Sequence, residues 1–358
     1  MSRGQISYNI IKIVLVLMLF PLLYSCSKSG PSFPVYEPGR RDYTWTVDTV
    51  YQRGNYNIYL MRMWGSDPAN VYAVGGGPEY PIWHYDGSKW DYESYDGFCI
   101  GMAIWGKGRN NTWIGTQNGG LLRSTAPGKW VGWPDQKLSD YPELRYSNMW
   151  GVSEKEIYAY GFAENYTTKK FKMAINVWNG TNWYFIDTPD SSVVLTELRR
   201  FPNRGIYIMT GENYNDPPKV KYVVYSYDGL RFREIYAGRN YPNMNDMKGE
   251  IYIDIGQIIY KYKDGKLVVF RDFRNTIYHS RLWGRSEGDF FFAAMIGGDY
   301  SIGHYNGTDL KTVFYPKPNY GVFDASIFDN EVFFLGRDDI SNQSVIVHGK
   351  IGGEKQSK

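Results

Sequence analysis

Residues 61–94 read MRMWGSDPANVYAVGGGPEYPIWHYDGSKWDYES. A short apolar run ends in Trp64-Gly65, a polar turn follows, and a second run carries an aromatic, Tyr72, eight residues after the tryptophan. After a looser loop come two more short runs joined by Asp86-Gly87. Within the runs apolar and polar residues alternate with period two, as in Trp90 and Tyr92 against Asp91 and Glu93, which is the pattern of strands with one buried face. The stretch is therefore one small antiparallel sheet of four strands.

That order of parts returns along the chain. With the Trp-Gly position as origin and the aromatic at plus eight, the pairs are Trp64/Tyr72, Trp105/Trp113, Trp150/Tyr158, Arg199/Tyr207, Met244/Tyr252, Trp283/Phe291 and Ala325/Phe333. Seven units spaced roughly 40 to 50 residues apart fit one four-stranded blade each, in a radial array. The expected class is all-β, a seven-bladed β-propeller. Outer hairpins close on Asp86-Gly87, Asn179-Gly180, Asp228-Gly229, Asp264-Gly265 and Asn306-Gly307, dipeptides that suit positive φ. The seventh unit, with strands near 322–328, 331–336 and 344–351, lacks a fourth. Tyr43 to Val50 resembles the outer strands that begin at Trp90, Trp130 and Trp183, so it is expected to dock on the last blade, bury Trp45 and Val47, and pair an otherwise open edge.

The chain divides into a leader over 1–25, a tether over 26–42, one propeller over 43–351 and a tail over 352–358. The leader has Arg3 and Lys12, the apolar run Ile13 to Phe20, then Leu23-Tyr24-Ser25-Cys26; its apolar stretch is too short to span a bilayer and has the layout of an export signal. Leu23 to Cys26 resembles the lipobox of bacterial lipoproteins, although Tyr24 stands where a small residue is commoner. That resemblance implies cleavage before Cys26, acylation of its thiol and amine, and stable anchoring through several acyl chains. The alternative is an ordinary signal peptide followed by a chance cysteine. Ser27 to Arg41, with Pro31, Pro34 and Pro38, reads as a flexible spacer.

Two of the 40 basic residues, Arg3 and Lys12, lie in the leader, so the remainder nearly balances the 37 acidic residues. Scattered charge of both signs argues against a nucleic-acid partner, which needs a basic stripe. With Cys26 lipidated, Cys99 has no partner for a disulfide and reads as a buried, inert thiol.

Motifs that would carry chemistry are scarce. His84 and His304 precede Tyr85-Asp86-Gly87 and Tyr305-Asn306-Gly307 at a position where other units have Val177 and Ser226, a structural pattern rather than a catalytic one. His279, in a connection between units, is the histidine to test for function. Asp86-Gly87-Ser88-Lys89-Trp90 differs from the Asp-box of sialidases, whose Asp and Gly are separated by one residue. No cofactor loop or metal-ligand spacing is present, and no catalytic residue or metal ligand is assigned.

Short turns and Asp/Asn-Gly hairpins fall on one rim of the ring, and the long connections (75–81, 134–146, 161–173, 188–196, 211–221, 237–242, 297–301 and 336–343) fall on the other. Function on a rigid scaffold resides in such loops. Acidic residues there (Glu79, Asp140, Glu143, Glu164, Glu212, Asp216, Asp299, Asp338 and Asp339) would be the source of a carboxylate pair for glycoside cleavage, or are solvated loop charge. Of the 33 tyrosines, Tyr80, Tyr141, Tyr146, Tyr166, Tyr214, Tyr241, Tyr300 and Tyr320 belong to this rim, and Tyr80, Tyr166, Tyr214, Tyr241, Tyr300 and Tyr320 are the candidate binding residues. Rigid aromatics with a polar tip suit protein interfaces and also stack on sugars; packing of the turns against neighbouring blades explains them equally.

The Trp-Gly-Ser, Val-Tyr-Ala-Val-Gly and His-Tyr-Asp-Gly-Ser-Lys-Trp phrases, the Tyr-Thr-Trp-Thr-Val-Asp-Thr strand and the lipobox together look like bacterial envelope lipoproteins that consist of a seven-bladed propeller on a lipid. The resemblance implies a monomer held at the outer membrane, facing either the periplasm or the exterior. The function expected is non-enzymatic recognition of a partner protein through the loop-rich rim. The alternatives are carbohydrate binding or, third, polysaccharide hydrolysis or lysis.

Overall fold

The computed structural model describes residues 38–50, 58–77, 82–95, 100–134, 136–201, 205–213, 221–276, 278–296, 299–315 and 320–352. Cys26, Tyr80, Cys99 and Tyr214 lie outside them, as does the side chain of His279. Strands of the described residues form seven four-stranded antiparallel sheets, six of them from consecutive strands. The chain is a seven-bladed β-propeller.

The seventh sheet is assembled from both ends of the propeller. Tyr43–Val50 pairs along its length with Gln343–Ile351, from Tyr43 opposite Ile351 to Val50 opposite Ser344. The ring is thus closed by main-chain hydrogen bonds, and the edge of Gln343–Ile351 is covered. Tyr43 and Val50 are buried, and Trp45 lies against Phe314 of blade 6 with ring centroids 5.0 Å apart. Val47, expected inside, is 42% exposed. It lies midway along the outermost strand of its blade, where its side chain is left to solvent.

The Trp-Gly motif has a packing reason. A Cβ on Gly151 would stand 2.8 Å from the indole of Trp105 in the preceding blade, and one on Gly65 2.7 Å from the ring of Phe328. Glycine there lets each blade's side chain lie flat on the next blade's first strand. Blades 4, 5 and 7 lack the motif, and there the spacing of eight is out by one. The buried second-strand residues Ile208, Tyr252 and Phe333 face Arg199, Asn245 and Ser326, while Tyr207 faces Arg200. The cause is the first turn. Blades 1, 3 and 6 insert a bulge after their Gly, whereas blades 5 and 7 register without one and blade 4 has a longer turn.

Four of the five outer hairpins are capped by their Asp or Asn. Oδ1 of Asp86, Asn179, Asp228 and Asn306 accepts the two amides that follow the glycine. Only at Asp264-Gly265 do both residues take positive φ, 50° and 80°.

Candidate functional site: the central channel and its two rims

The first strands of the seven blades surround the axis, and their period of two sorts the side chains into levels. Opposite the fully buried second-strand positions Tyr72, Trp113, Tyr158, Ile208, Tyr252, Phe291 and Phe333 stand Trp64, Trp105, Trp150, Arg199, Asn245, Trp283 and Ser326. All seven line one cavity of about 250 Å³ on the axis, together with Gly65, Ile327 and Phe328 near the short turns. They form a collar at the short-turn end of the channel. The residues between levels, such as Met63, Met149, Leu198 and Leu282, are buried between blades.

Two residues nearer the loop-rich rim lies a second level: Arg62, Ala103, Asn148, Glu197, Asn243, Arg281 and Asp324. In six blades this residue follows a β-bulge, which re-aims it and frees a carbonyl beside it. The level is laced across blades. Asp324 accepts the amide of Met63, 2.9 Å, and Asn243 that of Leu282, 2.9 Å. Arg281 donates to Phe323 O, 2.7 Å, and Arg62 to Ser147 O, 2.8 Å, past blade 2, whose small Ala103 occupies this level. Arg199 joins it by donating to Glu197, 3.2 Å, and to Asp246 of blade 5, 2.8 Å. Burial works against the charge of Arg199, but Glu197 and Asp246 outweigh it and hold the guanidinium above its ordinary value. Burial raises Asp324, while Arg62 and Arg281 oppose that shift. Three cations and three anions thus balance in number in a belt that forms the floor of the collar, with Arg199 ion-paired and Arg62, Arg281 and Asp324 held by backbone groups.

The loop-rich rim treats the candidate tyrosines differently. Tyr166 is 60% exposed; its hydroxyl accepts from Arg145, 2.7 Å, and its bond to Glu164 raises its pKa. Beneath it Phe162 and Phe171 stack at 4.9 Å with Arg145 over the first ring. Tyr241 is mostly buried beside the belt, edge-on to Tyr222, and burial followed by Glu197 raises its pKa. Tyr300 is half-buried with its ring against Gly321, and Tyr320 is buried. Tyr141 and Tyr146 are buried too, bonded to Asp190 and Asn176. For these the packing explanation holds. Tyr315 and Ile340, which sequence reasoning passed over, are 61% and 78% exposed on the same rim; position just beyond a strand end was the signal available.

Among the described loop carboxylates Glu143 and Glu164 stand opposite each other as Cα partners, and the others are dispersed. Glu164 faces Arg145, Asp339 faces Arg337, and Asp338 caps the turn at Ile340. Among the described residues no cluster of three or more His, Cys, Asp or Glu is placed to hold a metal ion. The histidines of the third strands are tucked inside blades. His84 bonds Asn70, His304 bonds Asp289 and His348 bonds Glu331, and their rings lie over Tyr72, Phe291 and Phe333. Burial lowers the pKa of all three.

No known sequence family matches the chain, and no curated protein matches it. Solved structures do. One described as YCF48 bound to D1 peptide superposes with a TM-score of 0.62 at 14% identity, over 89% of this chain and 100% of that one. A chain of a mitotic checkpoint complex gives 0.55 at 11% identity, over 90% and 98%. The Cps50 (Swd1) β-propeller domain of Myceliophteria thermophila gives 0.50 at 7%, over 84% and 99%. At these identities the likeness is one of fold.

Proposed function

We propose that the chain is a non-enzymatic recognition propeller, tethered to the bacterial outer membrane through a lipid on Cys26, that presents its loop-rich rim to a partner protein. The observation that carries this is where the chain enters the ring. Gly39 donates to Asn306 O, 3.1 Å, and Arg41 donates to His304 O and to Asp309 of the same blade 6 hairpin. Gly39 and Arg41, read from sequence as the end of the tether, are therefore fastened to the short-turn rim. The loop-rich rim is therefore not the one that the entering residues occupy. That rim exposes Tyr166, Tyr315 and Ile340 just beyond the ends of strands, the aromatic and aliphatic chemistry of protein interfaces. One of the similar propellers is described as bound to a peptide, which supports the reading as precedent for the fold.

The test is quantitative co-isolation from cross-linked envelopes. A variant with Tyr166, Tyr315 and Ile340 changed to Ala loses the partner that the parent chain enriches, and Leu230→Ala, on the opposite rim, keeps it. Equal recovery by the triple variant refutes this rim. Separately, Cys26→Ala releases the protein from membranes; retention of that variant refutes the lipid anchor without touching the rim.

A further inference from the structure

The collar offers chemistry that neither the rim nor the tether uses, and we propose that it binds one neutral sugar ring. Three features define the ligand. The first is an aromatic arc: Trp64, Trp105 and Trp150 come from consecutive blades, all partly exposed, with Trp64 and Trp105 centroids 6.4 Å apart. Gly151 covers part of Trp105 and the Arg199 guanidinium lies 5.7 Å over Trp150, so it is the remaining indole surface of the arc that meets the C–H face of a pyranose.

The second is a pair of uncommitted polar groups elsewhere on the collar. The Asn245 amide and the Ser326 hydroxyl line the cavity, and neither side chain has a hydrogen-bond partner among the described residues. An amide and a hydroxyl each donate and accept, which is what vicinal sugar hydroxyls require. In the same collar Arg199 is already committed to Glu197 and Asp246.

The third is charge balance. Below the collar Arg199 is held by Glu197 and Asp246, Arg62 and Arg281 by backbone carbonyls, and Asp324 by the amides of Met63 and Ala325; with three charges of each sign the belt has no net charge to attract an ionic ligand. Neutral, hydroxyl-rich and one ring in size is what remains: a cavity of about 250 Å³ takes one sugar ring, or the end residue of a glycan, and not a folded segment of protein. The proposal is independent of the lipid anchor and of the loop-rich rim.

The full chain, purified in a detergent without a sugar headgroup, is titrated with glucose, galactose, N-acetylglucosamine and mannose, with inorganic phosphate in parallel. Tryptophan fluorescence and saturation-transfer NMR are the readouts. The expected result is saturable binding of at least one sugar in the millimolar range or tighter, with Asn245→Ala weakening it about five-fold or more at an unchanged melting temperature. Trp150→Phe, which keeps an aromatic ring, weakens it less than Trp150→Ala. Flat titrations for all four sugars overturn the proposal. So does sugar binding that Asn245→Ala leaves intact, which would place the sugar elsewhere, and so does inorganic phosphate displacing the sugar from the collar.

Discussion

At the scale of the residue, two side chains show how little slack the ring has. Gly151 is where the indole of Trp105 crosses from blade 2 to blade 3, and an added methyl would lie 2.8 Å from its ring atoms. Gly151→Ala is therefore expected to lower stability by about 1–3 kcal/mol, read as a shift in denaturant midpoint at constant slope. His84 makes the complementary case through charge. It is packed among Asn70, Glu93 and Tyr72, with Arg109 nearby, and burial followed by Arg109 lowers its pKa to about 4. Unfolded, it takes a proton near its ordinary value of about 6.5. The unfolded state binds more protons between those values, so the stability contributed by neutral His84 is complete above about pH 6.5 and is lost as the pH falls toward 4. The loss is on the order of 3 kcal/mol, shared in direction by His304 and His348, whose pKa values burial also lowers. Unfolding free energies measured across that range should decline, and His84→Gln, which keeps a donor for Asn70, should flatten the decline.

At the scale of the element, the decisive piece is the strand Tyr43–Val50. Trp45 spans Tyr43, Phe314 and Phe334 and lies over Gly349, so Trp45→Ala should cost about 2–4 kcal/mol, less than a fully buried tryptophan because its ring is partly open to water. Differential scanning calorimetry should show the whole transition moving, not one blade alone. This strand is legible in the sequence because its alternation matches other outer strands, and the blades are legible because Trp-Gly and Asp-Gly recur at a fixed place. The channel belt is not. Arg62, Ala103, Asn148, Glu197, Asn243, Arg281 and Asp324 share no chemistry, so no repeat signal announces that they form one level; only the bulges and cross-blade hydrogen bonds do. The pairs in blades 4, 5 and 7 were misplaced by one residue for a related reason: turn length varies where the Trp-Gly motif is absent, and spacing counted along the chain follows turn length while register does not. The burial of the candidate tyrosines was not legible, because loop position in sequence does not report it. Tyr320 and Tyr241 sit in loops or at strand starts and still turn inward.

At the scale of the whole molecule, closure gives the two ends of the channel different chemistry. The short-turn rim holds the entering chain at Gly39 and Arg41 and the mouth of the tryptophan collar, while the loop-rich rim carries Tyr166, Tyr315 and Ile340. The rim reading depends on that division, and the division depends on the first strand of the ring pairing with the last. Cysteines placed at the Cα partners Thr44 and Lys350, in a Cys99→Ser chain, test it most directly. The account predicts an intramolecular disulfide that forms on mild oxidation, migrates as a compact monomer on a non-reducing gel and raises the melting temperature. Absence of that cross-link, or its appearance only between two chains, would contradict a ring closed by residues 43–50.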